Sequence, residues 1–339
     1  MPGGTPATDR PEVRLDRSDV GRRVSVRRLS EVVDGRPVFR DVIGVLESWD
    51  DHGLTVVPRN GEAVTFPEDL LVAGKPVPLF PARRVPRPEA GPGELMAVAA
   101  RGWPAVEQER LGDWTLRASA GFTRRANSVA ATGDPGLPLP AALEAVRDWY
   151  GARGLPGYLE LTGDSPAGLD AELDRLGAEY APTLLRTAAL APLARAAREP
   201  AGGAERVRLA RTAGAEWTAL YRRVSGDPAT EEAARRVLHG GPSVWFATAR
   251  AGDGTPLAIG RVAVDGVWAG FGAVEVAPHA RRTGLATTVM AVLAARAAEE
   301  GATGAYLQVE ADNGGAIALY DRLGFTTSHT YQYARLPRR

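Results

Sequence analysis

Residues 274–287, VEVAPHARRTGLAT, restrict the fold of this 339-residue chain more than any other stretch. A β-type run is followed by a turn and by a helical pattern that runs toward Gly301. The turn holds two arginines and two small residues: Arg281, Arg282, Gly284 and Ala286. Backbone N–H groups converge at such a turn, and the N-terminal end of the following helix adds positive potential. The pattern predicts a diphosphate-binding turn; the alternative is an ordinary turn with surface arginines.

Composition excludes several classes of function. The sequence has no cysteine, so disulfides, thiolate metal sites and a cysteine nucleophile are excluded, and no metal site is expected. The 41 basic residues balance the 41 acidic ones, which argues against electrostatic binding to nucleic acid or to an anionic membrane. No apolar run reaches transmembrane length, and the N-terminus, MPGGTPATDR, lacks a signal-peptide core. We therefore expect a cytoplasmic protein.

The N-terminal quarter reads as a small β unit. Residues 1–16 are polar with Pro and Gly, which predicts a disordered tail. Over residues 17–87, about five short β-type runs alternate with turns, among them the hairpin signal Asn60-Gly61, and a proline-rich linker follows. This pattern predicts a small SH3-like β-barrel. The barrel is interpreted either as a module that binds a peptide or nucleic acid, or as an element that stabilises or oligomerises the protein.

The rest of the chain alternates strands and helices, which indicates α/β units at residues 94–200 and 203–339. In the second unit, the predicted helix 285–300 places four apolar residues on one face: Leu285, Val289, Val292 and Leu293. Asn313 is a predicted N-cap for a helix over 314–323.

Two spaced motifs of the last segment resemble the GNAT acetyltransferase superfamily. They are Arg281-x-x-Gly284-x-Ala286 and Asn313-x-x-Ala316-x-x-Leu319-Tyr320-x-x-Leu323-Gly324-Phe325. The resemblance implies acetyl-CoA as the cofactor and transfer of its acetyl group to an amine. The residues that it assigns to the cofactor are Val274, Val276, Arg281, Arg282, Thr283, Gly284, Leu285, Ala286, Thr287, Asn313, Ala316 and Tyr320.

An internal repeat relates the two α/β units. Gly154 and Gly177 end two predicted helices 23 residues apart, and Gly301 and Gly324 do the same. Under this alignment the first copy has Asp134-Pro135-Gly136-Leu137-Pro138-Leu139 in place of the arginine-rich turn. Prolines remove N–H donors and Asp134 repels a diphosphate. The first copy is therefore predicted not to bind CoA.

The whole arrangement resembles an actinobacterial GNAT family in which a small β-barrel precedes tandem acetyltransferase halves. The fold class it implies is α/β (α+β), with tandem mixed sheets and flanking helices. Members of that family are assigned as N-acetylglutamate synthases of arginine biosynthesis, so L-glutamate is the named acceptor. Other amines stay open (a peptide N-terminus, an amino sugar, an amino thiol), as does a non-catalytic regulator that senses acetyl-CoA. The sequence also leaves a homodimer open.

Acetyl transfer needs a neutral amine, a polarised carbonyl and a protonated leaving thiolate. By resemblance, Tyr320 protonates the thiolate and a backbone N–H near Val276 polarises the carbonyl; the alternative for Tyr320 is a core aromatic. Glu275 is the candidate base, with an exposed strand carboxylate as the alternative. Glu310 is the weaker candidate.

A dicarboxylate acceptor needs cations or N–H donors, and bidentate arginine suits it well. Five residues are predicted to bind the substrate: Arg124, Arg125, Asn127, Gln308 and Tyr331. The alternatives are surface salt bridges for the arginines and plain sheet positions for Gln308 and Tyr331.

Overall fold

The computed structural model describes residues 13, 15–33, 35–58, 61–77, 87–196, 206–221, 223 and 227–337. The chain divides into two compact units, Met1–Arg84 and Val85–Arg339. Most of the predicted tail, Asn60 of the predicted hairpin turn and residues 78–86 of the proline-rich linker lie outside the described residues. Leu15 corrects the tail prediction, because its side chain is only 8% exposed and packs in the core of the first unit.

The first unit is one antiparallel sheet of five strands. The strands are β1 Arg23–Val33, β2 Arg36–Asp50, β3 Gly53–Pro58, β4 Val64–Phe66 and β5 Leu71–Pro76. Their order is β4-β3-β2-β1-β5. Alternate residues such as Val24, Val26 and Leu46 point into a common core, as the period of two requires. The five strands were predicted; an SH3-like closure stays a prediction.

The second unit begins with the first of the two sequence copies. Its elements are α1 Pro92–Gly102, β6 Glu107–Leu111, β7 Trp114–Ala118, β8 Val129–Ala130, α2 Leu139–Gly151, β9 Tyr158–Leu161, α3 Leu169–Arg175, β10 Glu179–Ala189 and α4 Leu190–Ala196. The second copy follows with β11 Val207–Ala210, α5 Ala215–Leu220, α6 Pro228–His239, β12 Ser243–Arg250, β13 Pro256–Asp265, β14 Trp268–Val276, α7 Leu285–Glu299, β15 Gly304–Glu310, α8 Gly314–Arg322 and β16 Thr326–Arg335.

Both copies share one mixed sheet of eleven strands. The order is β11-β12-β13-β14-β15-β10-β16-β9-β8-β7-β6. Each copy has one parallel pair joined by a helix: β8 with β9 across α2, and β14 with β15 across α7. The final strands are exchanged, because β10 of the first copy pairs with β15 and β16 of the second copy pairs with β9.

This exchange corrects the predicted division into separate domains at 94–200 and 203–339. The two segments form one compact unit, since removing either would leave the other without a strand inside its own sheet. The predicted α+β fold class with flanking helices is confirmed. The two predicted sheets are one continuous sheet.

Helix α7 packs on the sheet with the predicted apolar face inward. Val289 and Leu293 are fully buried, and Leu285 and Val292 are partly buried against the same core. The glycines of the internal repeat, Gly154, Gly177, Gly301 and Gly324, all have positive φ and each follows a helix, as helix-terminating glycines do. Within the described ranges, the helices are too short or too polar to span a bilayer.

Candidate active site

Strands β14 and β15 separate at the centre of the sheet. Their parallel pairing runs from Trp268 opposite Gly304 to Phe271 opposite Leu307 and stops there. Just beyond, Ala273 has a φ of 51°, and the pairing of β14 with β13 shifts register nearby. A positive φ in a non-glycine residue kinks the strand locally. The kink turns the end of β14 away from β15 and opens a gap in the sheet.

A cavity of about 210 Å³ occupies this gap. One part of its wall comes from residues that pack under α7 and α8: Phe271, Val274, Val309, Ala316 and Tyr320. The rest is mostly polar and includes Arg124, Arg125, Thr183, Glu275, Gln308, Glu310 and Tyr331. The cavity therefore brings together residues from both copies of the repeat.

Tyr320 lies on α8 and packs edge-on against Phe325, with ring centroids 5.9 Å apart. Burial raises the pKa of its hydroxyl, and the charges of Arg125 and Arg223 act in the opposite direction. Within the described part of the chain, the hydroxyl has no hydrogen-bond partner. At neutral pH the group is therefore a protonated donor in the cavity wall, which is the state that a general acid needs.

The arginine-rich turn has the features of an anion site. Gly284 precedes α7 with a φ of 86° and no side chain caps the helix. Among described residues, no acceptor is recorded for the N–H groups of 285–287, and residues 281–284 are exposed. A Cβ added at Gly284 would meet no atom within 4 Å, so the approach is open. The turn does not line the cavity itself but follows directly from β14, which does.

The remaining predicted cofactor residues are divided between helix α8 and strand β14. Asn313 lines the cavity and caps α8, accepting a hydrogen bond from the N–H of Ala316 at 3.1 Å. Val274 and Glu275 border the cavity, whereas Val276 does not. The role of a backbone N–H near Val276 and the role of Glu275 as a base stay predictions.

Arg124 and Arg125 lie in a 3₁₀ turn after β7, and they differ in their partners. Arg124 forms an ion pair with Glu310, which occupies both groups. Arg125 stacks over Trp103, 4.4 Å from the ring centroid, and donates to the neutral Oε1 of Gln308 at 3.0 Å. No acidic partner of Arg125 is present among the residues described. Arg125 is therefore a cation of the cavity wall without an ion-pair partner among the described residues, and Arg223 and Glu275 are the other charged residues of that wall outside the Arg124–Glu310 pair.

Asn127 corrects the prediction that it binds substrate. It is 5% exposed and does not line the cavity. Its Oδ1 accepts from the N–H groups of Ser119 and Gly121, and its Nδ2 donates to the carbonyls of Phe122 and Thr123. All four hydrogen-bonding positions of the amide are used. Asn127 holds the loop that presents the two arginines.

Tyr331 leads from the cavity into a buried polar chain that the sequence did not predict. Its hydroxyl lies 3.5 Å from that of Tyr333, which donates to Glu160 at 3.1 Å. Glu160 pairs with Arg117 at 3.1 Å, and both are more than nine-tenths buried. Burial raises the pKa of both tyrosines, so their hydroxyls stay protonated.

Sequence reasoning also missed five other residues around the cavity: Trp103, Thr123, Thr183, Tyr221 and Arg223. They come from α1, the loop after β7, β10 and the segment after α5. No local motif marks them, because only the tertiary fold brings them together. Within the described residues there is no cluster of three or more histidines and carboxylates suited to a metal ion.

Comparison with known proteins agrees with this geometry. A family model described as "Probable histone acetyltransferase Rv0428c C-terminal" matches residues 94–334. The chain is 27% identical over 245 residues to the uncharacterized N-acetyltransferase YobR of Bacillus subtilis, covering 71% of this chain and 98% of YobR.

Two solved structures have a similar fold. A GCN5-related N-acetyltransferase from Kribbella flavida superposes with a TM-score of 0.54 at 22% identity, over 74% of this chain and 98% of that one. A conserved protein of unknown function from Staphylococcus epidermidis gives a TM-score of 0.51 at 9% identity, over 70% of this chain and 96% of that one.

Proposed function

The chain belongs to the Rv0428c C-terminal acetyltransferase family, and on that premise we propose that it acetylates a small amine that carries carboxylates. L-Glutamate is the named acceptor. The observation that carries the proposal is Arg125, a cation without an acidic partner in the described chain, facing a cavity of about 210 Å³. A cavity of this size fits an amino acid better than a large ligand.

The residues present fit acetyl-CoA, which supplies an activated acetyl thioester. The N–H groups of 285–287 have no acceptor in the described chain, and Arg281 and Arg282 are exposed beside them. These groups would hold the diphosphate, since N–H donors, helix potential and guanidinium groups all favour anions. Asn313 and Ala316, which border the cavity, would face the pantetheine arm.

Two side chains of the cavity would then donate and accept protons. Tyr320 keeps its proton at neutral pH because burial raises its pKa, so it can donate to a leaving thiolate. Glu275 borders the same cavity and would accept a proton from the acceptor amine, directly or through water. A free α-amine has a pKa of about 8, so a modest base is enough.

The acceptor would be held on the polar part of the wall. Arg125 offers guanidinium donors, and Gln308 and Tyr331 offer neutral hydrogen-bonding groups. The Trp103 ring lies against the Arg125 guanidinium and limits its movement, and an arginine held in place is suited to bidentate binding of a carboxylate.

A histone acceptor, which the family description names, is the second candidate. A histone tail is basic, whereas the described cavity wall carries three arginines against two glutamates, and this excess of positive charge would repel a cationic segment beside the acceptor lysine. The charge of the wall therefore favours an anionic acceptor. A regulator that binds acetyl-CoA without turnover is the remaining alternative.

A panel of amines tests the proposal. Release of CoA is followed with a thiol reagent, which reports CoA alone because the protein has no cysteine. The panel contains L-glutamate, L-glutamine, an amino sugar, cysteamine blocked at sulfur and a histone tail peptide. Turnover highest with L-glutamate supports the proposal. Turnover with the histone peptide and none with glutamate would contradict it, and no turnover with any amine would favour the regulator.

A further inference from the structure

Thr183 on β10 has a buried hydroxyl without a hydrogen-bond partner in the described part of the chain. The residue lines the cavity and is 5% exposed. Its Oγ1 has no hydrogen-bond partner among the described residues. The strand register places it opposite Glu310 of β15 and opposite Tyr331 of β16. Buried polar groups are normally satisfied, so a hydroxyl left over in a cavity wall points to a ligand.

The neighbours of Thr183 are already engaged. Glu310 pairs with Arg124, and the Tyr331 hydroxyl lies close to that of Tyr333. Apart from the Arg124–Glu310 pair, the charged residues of the described wall are Arg125, Arg223 and Glu275, so positive charges outnumber negative ones by one. A hydroxyl in the wall of a cavity that also holds a cation is suited to donate a hydrogen bond to an anionic acceptor.

We propose that Thr183 is a specificity residue whose hydroxyl binds a second carboxylate of the acceptor, distinct from the carboxylate held by Arg125. The proposal rests on the acetyltransferase function proposed above and narrows its substrate class to dicarboxylic amines. A site with a hydrogen-bonding group for the distal carboxylate discriminates against an acceptor that lacks it, because the group then stays unpaired.

Two variants and two acceptors test this. Thr183→Val removes the hydroxyl at nearly constant volume, and Thr183→Ser keeps it. With L-glutamate, Thr183→Val should raise KM about tenfold with kcat changed less than twofold, and Thr183→Ser should resemble the wild type. With L-2-aminobutyrate, which lacks the distal carboxylate, Thr183→Val should leave KM unchanged.

Equal effects of Thr183→Val on both acceptors, or no effect on either, would overturn the assignment. Loss of folding is checked by the thermal midpoint of each variant. Failure of the proposed function can be distinguished from failure of the Thr183 assignment, because in the former case the wild type itself shows no turnover with glutamate. If the amine with the highest turnover in the panel has no second anionic group, the Thr183 proposal is overturned as well.

Arg186 carries a second, independent inference. It lies on β10 of the first copy, is 4% exposed and reaches helix α8 of the second. Its Nη2 contacts Oδ1 of Asp321 at 2.5 Å and the carbonyl of Phe325 at 2.7 Å, and its Nη1 donates to the carbonyl of Ile317 at 3.2 Å. One buried guanidinium thus holds the helix on both sides of Tyr320.

We infer that Arg186 is a positioning residue for Tyr320. Its three contacts fix the turn of α8 that carries the tyrosine, and they also fix Phe325, on which the tyrosine ring packs. The exchanged strand β10 therefore lets the first copy orient the proton donor of the second. This inference depends on the acid role proposed for Tyr320.

A double-mutant cycle separates positioning from general stability. Arg186→Met should lower kcat at least tenfold with KM for the amine little changed, and Arg186→Lys should recover part of the loss. In a Tyr320→Phe background, Arg186→Met should change kcat less than twofold, because the group that it positions is gone.

The same fall in kcat in both backgrounds would show that Arg186 acts only through stability and would overturn the inference. If Arg186→Met fails to fold, Asp321→Asn weakens one of the three contacts at a half-exposed partner. It should lower kcat two- to fivefold in the wild type and have no effect with Tyr320→Phe. Wild-type kcat in Tyr320→Phe alone would instead refute the acid role.

Discussion

The two copies of the repeat have the same strand–helix–strand plan but different turns at the N-terminus of the helix. Before α7, the N–H groups of 285–287 have no acceptor in the described chain and arginines lie beside them. Before α2, the N–H of Asp134 donates to the carboxylate of Asp113 at 3.0 Å, and that of Gly136 donates to Asp134 at 2.8 Å. Two internal carboxylates take the donors that a diphosphate would need.

Helices α3 and α8, which occupy matching places in the two copies, also differ in their polar groups. Aligning Leu176-Gly177 with Leu323-Gly324 places Leu173 opposite Tyr320 and Pro166 opposite Asn313. Leu173 is fully buried in the core of the first copy. The first copy therefore has neither a hydroxyl donor nor a capping amide at these positions. It retains the fold, lacks the groups for acyl chemistry, and supplies β10 and the loop of Arg124 and Arg125 to the cavity.

The largest expected loss of turnover comes from a substitution in the turn before α7. Gly284→Glu should reduce turnover more than 100-fold, because it adds an anion at the proposed diphosphate site and strains a residue with a φ of 86°. Its matched control is Gly136→Glu in the first copy, where φ is 72° and the residue is also exposed. The control should keep wild-type turnover. Steady-state CoA release measures both, and equal losses would contradict the contrast between the turns.

Loss of the proton donor comes next. Tyr320→Phe should lower kcat about 100-fold, at the lower end of the usual range for a general acid, with KM changed little. Because burial raises the pKa of Tyr320, the wild-type kcat should stay flat up to about pH 10, the ordinary tyrosine value. A pH profile of kcat checks this. If kcat of the wild type falls from below pH 9, and the same fall is seen in Tyr320→Phe, the titrating group is not Tyr320.

The two arginines of the first copy should differ in effect. Arg125→Gln should raise KM for L-glutamate about tenfold, because it removes a cation that has no ion-pair partner among the described residues. Arg124→Gln should have a smaller effect on KM, since Arg124 is already paired with Glu310. KM measurements with glutamate for the two single variants decide this. A larger effect for Arg124 would mean that the pair with Glu310 opens when the acceptor binds.

The smallest effect belongs to the exposed arginines of the turn. Arg281→Ala and Arg282→Ala should each raise KM for acetyl-CoA two- to fivefold, and high salt should reduce the difference because exposed charges are screened. Arg110→Ala on the first copy, also exposed, is the control and should change nothing. KM at low and high ionic strength provides the test; an effect that salt does not alter would argue for packing instead of charge.

The sequence predicted the elements of the second copy closely. The helices expected over 285–300 and 314–323 are Leu285–Glu299 and Gly314–Arg322 in the structure, because strong periodicity and clear caps define them. Asn313 forms the predicted cap. The turn before α7 has the predicted exposed arginines and uncapped helix N-terminus, since consecutive residues build it, and diphosphate binding there stays a prediction.

What the sequence could not predict depends on contacts between distant segments. The exchange of β10 and β16 has no local signal, and it brings Thr183 to the cavity and Arg186 to α8. Asn127 was misassigned because a polar residue beside two arginines resembles a ligand, whereas its amide is used by its own loop. The different environments of Arg124 and Arg125 follow from Glu310 and Trp103, which are remote in sequence.

The difference between the two turns predicts that each chain binds one CoA, in the second copy. Isothermal titration of the full-length protein with CoA tests it directly, with the wild type, Gly284→Glu and Gly136→Glu compared. We predict one site per chain in the wild type and in Gly136→Glu, and no binding in Gly284→Glu. Two sites per chain, or binding that is lost in Gly136→Glu and kept in Gly284→Glu, would contradict the account.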